Sequence, residues 1–225
     1  MNTIPIRPLL ALKLATLGAF AVLMVLMSSC HYVGIQGNGH ITTDSRQIAD
    51  FRRVQADGAF EVTWTPGAVA FSVTTDSNLT EYIHARVSGD RLLIEWQKPL
   101  RATHGIKVNI SSPALTHATL NGAVRLVASN LSGSEFYLEA NGASRIALNG
   151  TVNAMQGEMN GASRLDAESL VTRAMDLTIA GAGRADVNVT DALKVDISGA
   201  GKVTYTGNPT VKKDISGAGS VRHRD

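Results

Sequence analysis

The sequence predicts an all-β fold, wound as a single-stranded, right-handed β-helix (a solenoid) of about six coils of 18–20 residues. Three observations predict it. First, Gly-Ala pairs recur at Gly122, Gly142, Gly161, Gly181, Gly199 and Gly217, at intervals of 20, 19, 20, 18 and 18 residues. Second, apolar residues hold fixed places around them. Leu120, Ala140, Met159, Ile179, Ile197 and Ile215 stand two before the glycine, and Leu126, Ile146, Leu165, Ala185, Val203 and Val221 stand four after it. Third, the text between copies alternates: Leu193, Val195 and Ile197 share one face, while Lys194 and Asp196 share the other. Period-two alternation is the signature of a half-buried strand.

A strand-turn-strand unit of this length cannot bury its apolar face alone. Stacked on copies of itself, with coils about 4.8 Å apart, it makes a continuous core. Glycine and alanine recur because the corner is tight and neighbouring backbones approach closely there. Asn121, Asn141 and Asn160 fall at one equivalent place, where stacked amides can bond along the ladder. Coils of 19 and 20 residues break the strict spacing of a left-handed hexapeptide helix, which favours the right-handed form. A β-sandwich is the alternative architecture.

The elements follow in order. Arg7 and Lys13 give a positive start before an apolar run over residues 14–27. That run is short for a membrane span, which needs about 20 residues, and suits a signal-peptide core. "MSSC" then ends in the sole cysteine, Cys30. The arrangement resembles the bacterial lipoprotein lipobox, with Met27 where Leu or Val is more usual. The resemblance implies a signal peptide over 1–29, cleavage before Cys30, and fatty acyl (palmitate-type) lipid on Cys30. Removing 1–29 leaves 19 basic and 19 acidic side chains, so a non-specific nucleic-acid binder is not expected. A single cysteine allows no internal disulfide, and burial alone must stabilise the fold. About 195 residues can bury roughly 70% of their unfolded surface, enough for one domain.

Residues 30–47, with "GIQGNG", read as a flexible tether, and 48–225 as the β-helix domain. Within it, 48–117 reads as larger N-terminal capping coils. This stretch holds Trp64, Trp96, Phe51, Phe60 and Phe71, and its strands "FEVTWT", "AFSVTT", "RLLIEW" and "IKVNIS" would cover an otherwise open edge. "NLTEYIHARV" reads as a helix-like crossing or another strand. The Gly-Ala coils occupy 118–221, and the closing "RHRD" supplies charges against end-to-end stacking.

A lipobox followed by "FRRVQADGAFEVTWTPG", "SGDRLLIEW", "KVNISSPAL" and serial "NGAS" and "SGAG" turns is similar to the putative autotransporter adhesin, head GIN domain family. The match covers roughly residues 48–221, and the serial turns are its most specific part. The resemblance implies a β-helix of pectin-lyase-like appearance, an envelope location and a role in adhesion. It carries over no catalytic residues.

Three positions after successive corner glycines stand Arg125, Arg145, Arg164, Arg184 and Lys202, with Ser220 last. Three before them stand Thr119, Glu139, Glu158, Thr178, Asp196 and Asp214. One reading is that the two rows solvate the surface and pair with each other. The other makes Arg125, Arg145, Arg164, Arg184 and Lys202 the candidate ligand-binding residues, a track whose Arg forks suit phosphate or carboxylate.

Catalytic and metal constellations are not found. His31, His40, His84, His104, His117 and His223 show no metal-ligand spacing. No Gly-x-Ser-x-Gly elbow or phosphate-binding glycine loop occurs. In "GAGRADVNV", Asp186 falls outside calcium-repeat spacing. No cofactor, metal or catalytic residue is expected.

The sequence therefore reads as a non-catalytic, lipid-anchored envelope protein. Its β-helix would bind an anionic polysaccharide or an envelope protein, at the outer membrane since His31 replaces the aspartate of inner-membrane retention. The competing readings are a carbohydrate-active enzyme on a pectin-lyase-like β-helix, and a structural component with a protein partner.

Overall fold

Each alternating segment buries one face and hydrogen-bonds both edges to its neighbours, so coils stack into parallel ladders. The computed structural model describes residues 34–224. The apolar run, Cys30 and the lipobox lie outside the described residues. Among those described there is no α-helix, only a 3-10 turn at Thr80–Tyr82 within a β-solenoid. The chain from Gln36 on forms one compact unit.

On one side of the coil, Arg53–Gly58 and His117–Gly122 align in parallel register with 137–142, 156–161, 176–181, 194–199 and 212–217. After the corner, residues 61–64 align with 125–128, Arg125 aligns with Arg145, Arg164 and Arg184 in turn, and residues 184–188 align with Lys202–Thr206. The glycine file therefore has a seventh member, Gly58, ahead of the six found by spacing. Its text, Asp57-Gly58-Ala59, is the Asn-Gly-Ala corner with a carboxylate in place of the amide.

Stacking order differs from chain order at the N-terminal end. Arg91–Trp96 and Lys107–Ser112 lie on one edge of coil 53–66, while 117–128 lie on its other edge. Residues 48–117 are thus not capping coils throughout, because 53–66 is a regular rung held between two others. The capping is done by antiparallel strands. Ile83–Ser88 pairs with Arg91–Trp96, and Ala70–Asp76 pairs with Lys107–Ser112. "NLTEYIHARV" supplies both the 3-10 turn and the first of these strands.

The expected tether is corrected over its second half. Ile41–Ser45 is a strand paired antiparallel with Ala70–Asp76. Gly39 N–H donates to the buried carboxylate of Asp76 at 2.7 Å. A strand already paired on one edge offers free carbonyls and amides on the other, and this segment takes them up.

The core runs the length of the stack. Leu120, Leu126, Leu138, Leu165, Leu177 and Ile179 have no exposed surface. Burying each such side chain contributes roughly 1.5–3 kcal/mol. Trp64 is also buried, and its indole N–H donates to Ser112 Oγ at 2.9 Å. The predicted amide ladder is present: Asn160 donates to Asn141 at 2.9 Å, Asn141 to Asn121 at 3.0 Å, and Asn121 to Asp57.

The last coil differs from the rest. Val211, Ile215 and Val221 are only half-buried. Lys213 aligns with the buried Val195, so an inward file of apolar residues ends on an exposed ammonium. A charge at an inward position blunts a sheet edge against further pairing. Of the closing charges, Arg224 turns back along the solenoid instead, to Glu168 at 2.6 Å and Asp186 at 3.0 Å.

Candidate functional site

The corner geometry fixes the basic row. Ala123, Ala143, Ala162, Ala182 and Ala200 each donate their N–H to the corner-glycine carbonyl of the previous coil, as Ala162 does to Gly142 at 2.8 Å. Two residues on, the basic residue's N–H bonds the previous coil again: Arg145 to Val124, Arg164 to Ser144, Arg184 to Ser163 and Lys202 to Gly183, all at 2.8–2.9 Å. Two backbone bonds within three residues hold every basic Cα in a fixed place. Arg125, Arg145, Arg164, Arg184 and Lys202 are consequently direct register partners in sequence. At about 4.8 Å per rung the five cations span about 19 Å.

The four arginines are exposed and Lys202 is half-exposed. Arg164 reaches Asp186 at 3.4 Å. Among the described residues, no carboxylate lies within ion-pairing distance of Arg125, Arg145, Arg184 or Lys202. The row three before the glycine is also in register, Thr119 to Glu139 to Glu158 to Thr178 to Asp196 to Asp214. It does not neutralise the basic row, because the corner directs the two rows onto different sides. Its members find other partners: Glu139 accepts from Asn141 at 2.8 Å, and Asp196 pairs with Lys194 at 2.9 Å. Lys194 also meets Asp176, and the two carboxylates, Asp196 foremost, hold its proton more firmly than usual. Adjacent like charges about 5 Å apart in water repel by roughly 1 kcal/mol. Carboxylates offset that repulsion at Arg164, through Asp186, and on the rung beside Arg125, at Glu61, and leave it unrelieved at Arg145, Arg184 and Lys202.

Two ladder members escape a search by Gly-Ala spacing. Glu61 is the register partner of Arg125, and Lys107 of Glu61. The signal for Glu61 was Asp57-Gly58-Ala59, since Glu61 stands three after that glycine as Arg125 stands three after Gly122. A carboxylate thus terminates the cationic run at its N-terminal end. No group of three or more His, Cys, Asp or Glu able to hold a metal occurs among the described residues. No helix among them is long and apolar enough to cross a membrane.

Residues 50–209 match the model of the family described as putative auto-transporter adhesin, head GIN domain. No curated protein matches the chain. Among solved structures, a putative adhesin from Bacteroides fragilis is similar at 20% identity, with 85% of this chain and 100% of that one covered and a TM-score of 0.70. A putative adhesin from Parabacteroides merdae matches at 21% identity, over 86% of this chain and 100% of that one, with a TM-score of 0.50. A putative lipid binding protein from Parabacteroides distasonis matches at 24% identity, over 85% and 99%, with a TM-score of 0.50. At these identities the likeness is one of fold.

Proposed function

Because the chain belongs to the putative auto-transporter adhesin, head GIN domain family, we propose that it is a non-catalytic binding module of the cell envelope, anchored through lipid on Cys30, whose basic ladder engages an anionic polysaccharide. The single observation carrying the ligand class is the in-register row Arg125, Arg145, Arg164, Arg184 and Lys202, in which only Arg164 forms an ion pair among the described residues. A rigid linear file of like charges recognises a linear polymer carrying repeated charges of the opposite sign. Guanidinium forks present paired donors to carboxylate or phosphate, and a guanidinium, more weakly hydrated than an ammonium, sheds its water at lower cost on contact. The adhesin family supports the surface or envelope location, and the lipobox resemblance supports the anchor.

The ladder is tested with the full chain and the triple variant Arg145→Ser, Arg164→Ser, Arg184→Ser, using lipopolysaccharide, peptidoglycan and polygalacturonate as probes. The expected result is binding by the parent chain that weakens as salt rises, and at least a tenfold loss in the variant, about 1.4 kcal/mol. The variant should keep its β-sheet circular dichroism, since all three side chains point outward. Equal binding by the two proteins, or none by either, removes the anionic ligand from the proposal. The anchor is tested separately. Cys30→Ser is expected to abolish incorporation of labelled palmitate, and retained label would place the lipid elsewhere.

A further inference from the structure

A second recognition feature lies away from the ladder, before the corner rather than after it. Five positions before successive corner glycines stand His117, Tyr137, Gln156, Asp176, Lys194 and Lys212, each the register partner of the next. Two positions earlier in their strands stand Glu135, Ala154, Ala174, Ala192 and Thr210, likewise in register. Between these rows lie Phe136, Met155, Met175 and Leu193, whose side chains are buried in the core. Both outward rows line one open cavity of about 770 Å³, so the sheet bends concavely between them. The cavity is a trough along the solenoid axis. It crosses six rungs, about 24 Å from the His117 rung to the Lys212 rung.

The two sides of the trough differ in chemistry. The first presents methyl groups from Ala154, Ala174 and Ala192 along its middle. The second presents the hydrogen-bonding heads of Gln156, Asp176 and Lys194 opposite those methyls. At its N-terminal end the second side carries an aromatic pair, His117 and Tyr137, with ring centroids 5.6 Å apart. Partial desolvation, reinforced by the nearby Arg53, pulls the His117 ring's pKa below its ordinary value. Formal charge also balances: Glu135 and Asp176 are offset by Lys194 and Lys212, and Lys194 bonds Asp176 at 3.0 Å.

We propose that this trough binds a neutral, linear oligosaccharide. A pyranose chain is itself two-sided, with C–H faces and hydroxyl edges. Its C–H faces fit the alanine methyls and the Tyr137–His117 rings, and its hydroxyls fit Gln156, Asp176 and Lys194. Sites for small ligands commonly join an apolar lining to a few placed polar groups, and aromatic rings contribute large contact area at little entropic cost. Other occupants fit less well. An acyl chain would desolvate the amide, carboxylate and ammonium without replacing their hydrogen bonds. An added peptide strand needs an open sheet edge, and the middle coils here are paired on both edges. A polyanion would find no net attraction in a lining whose carboxylates, Glu135 and Asp176, offset its ammoniums, Lys194 and Lys212. The proposal does not rest on the ladder, which takes an opposite class of ligand after the corner.

The test titrates the full chain with maltohexaose, cellohexaose, mannohexaose and xylohexaose by calorimetry. Ala174→Trp fills the trough, Tyr137→Ala removes the stacking platform, and Gln156→Ala deletes one polar head with little change of shape. The expected result is binding of at least one hexasaccharide that is indifferent to salt. Affinity should fall at least tenfold in Ala174→Trp and measurably in Tyr137→Ala and Gln156→Ala, with melting temperature unchanged in the last. The triple arginine variant should bind as the parent does. Absence of binding by all four sugars at millimolar concentration overturns the proposal, as does binding that survives all three trough variants. Salt-sensitive binding lost only in the arginine variant also overturns it and assigns the sugar to the ladder.

Discussion

Gly161→Ala is expected to destabilise the solenoid by at least about 3 kcal/mol, the combined scale of forced backbone strain and a displaced hydrogen bond. Gly161 has φ of +114°, and a Cβ there would lie 2.5 Å from the carbonyl oxygen of Gly142 on the coil below. That oxygen cannot move freely, because it accepts the N–H of Ala162 at 2.8 Å. Relief must come from shifting one coil against the next, which disturbs the interface that stabilises both. Gly133→Ala separates the two causes. Gly133 has φ of +136°, but a Cβ there meets nothing within 4 Å. This control should show only the dihedral strain, roughly 1–3 kcal/mol. The measurement is chemical denaturation of both variants beside the parent chain. If the two substitutions destabilise equally, close approach at the corner is not what fixes glycine there.

The corner also shows why so much of this fold can be read from sequence. Each coil solves the same local problem, so Gly142, Gly161 and Gly181 recur with the same neighbours, and the buried files at Leu126, Ile146 and Leu165 follow from alternation alone. The basic row was legible for the same reason, because five equivalent places hold one kind of side chain. Gly58 escaped because its coil is separated from the next by a long excursion. Asn121 bonds Asp57 across 64 residues, where other members of the amide ladder lie 19 or 20 apart. The strand Ile41–Ser45 escaped because "ITTDS" is mostly exposed and polar, and its pairing partner was set by the distant Ala70–Asp76. The trough had a regular period too. Its row, from Tyr137 through Gln156 and Asp176 to Lys194, mixes ring, amide, acid and base, so no common letter marks it. The missing countercharge along the arginines depends on which way each side of the corner faces, and spacing does not encode that.

Asp76→Asn is expected to loosen the N-terminal cap while leaving the Gly-Ala coils intact. Asp76 is fully buried and binds two segments at once. One oxygen accepts from Gly39 N–H at 2.7 Å and Thr103 Oγ1 at 2.8 Å, and the other accepts from Thr103 N–H at 2.8 Å. Asparagine can supply the first acceptor, but its NH₂ would then face the Thr103 N–H, donor against donor. The substitution is isosteric and still leaves a buried donor unsatisfied. Burial alone would raise the Asp76 pKa; the bonds from Thr103 and Gly39 outweigh it and hold the group below its ordinary value of 3.8. A carboxylate whose folded pKa is depressed stabilises the fold above its unfolded pKa. That contribution should therefore be constant from neutral pH to about 4 and should fade as pH drops through the lower, folded value. Hydrogen exchange reads the effect locally. In the variant at pH 7, amides of Gly39, Thr103 and the strand Ile41–Ser45 should exchange faster, while those of coils 145–181 keep parental rates. Parental exchange at Gly39 and Thr103 would show that the cap is held by its strand pairing, with the carboxylate dispensable. Uniform acceleration across both regions would show that the cap and the coils unfold as one unit.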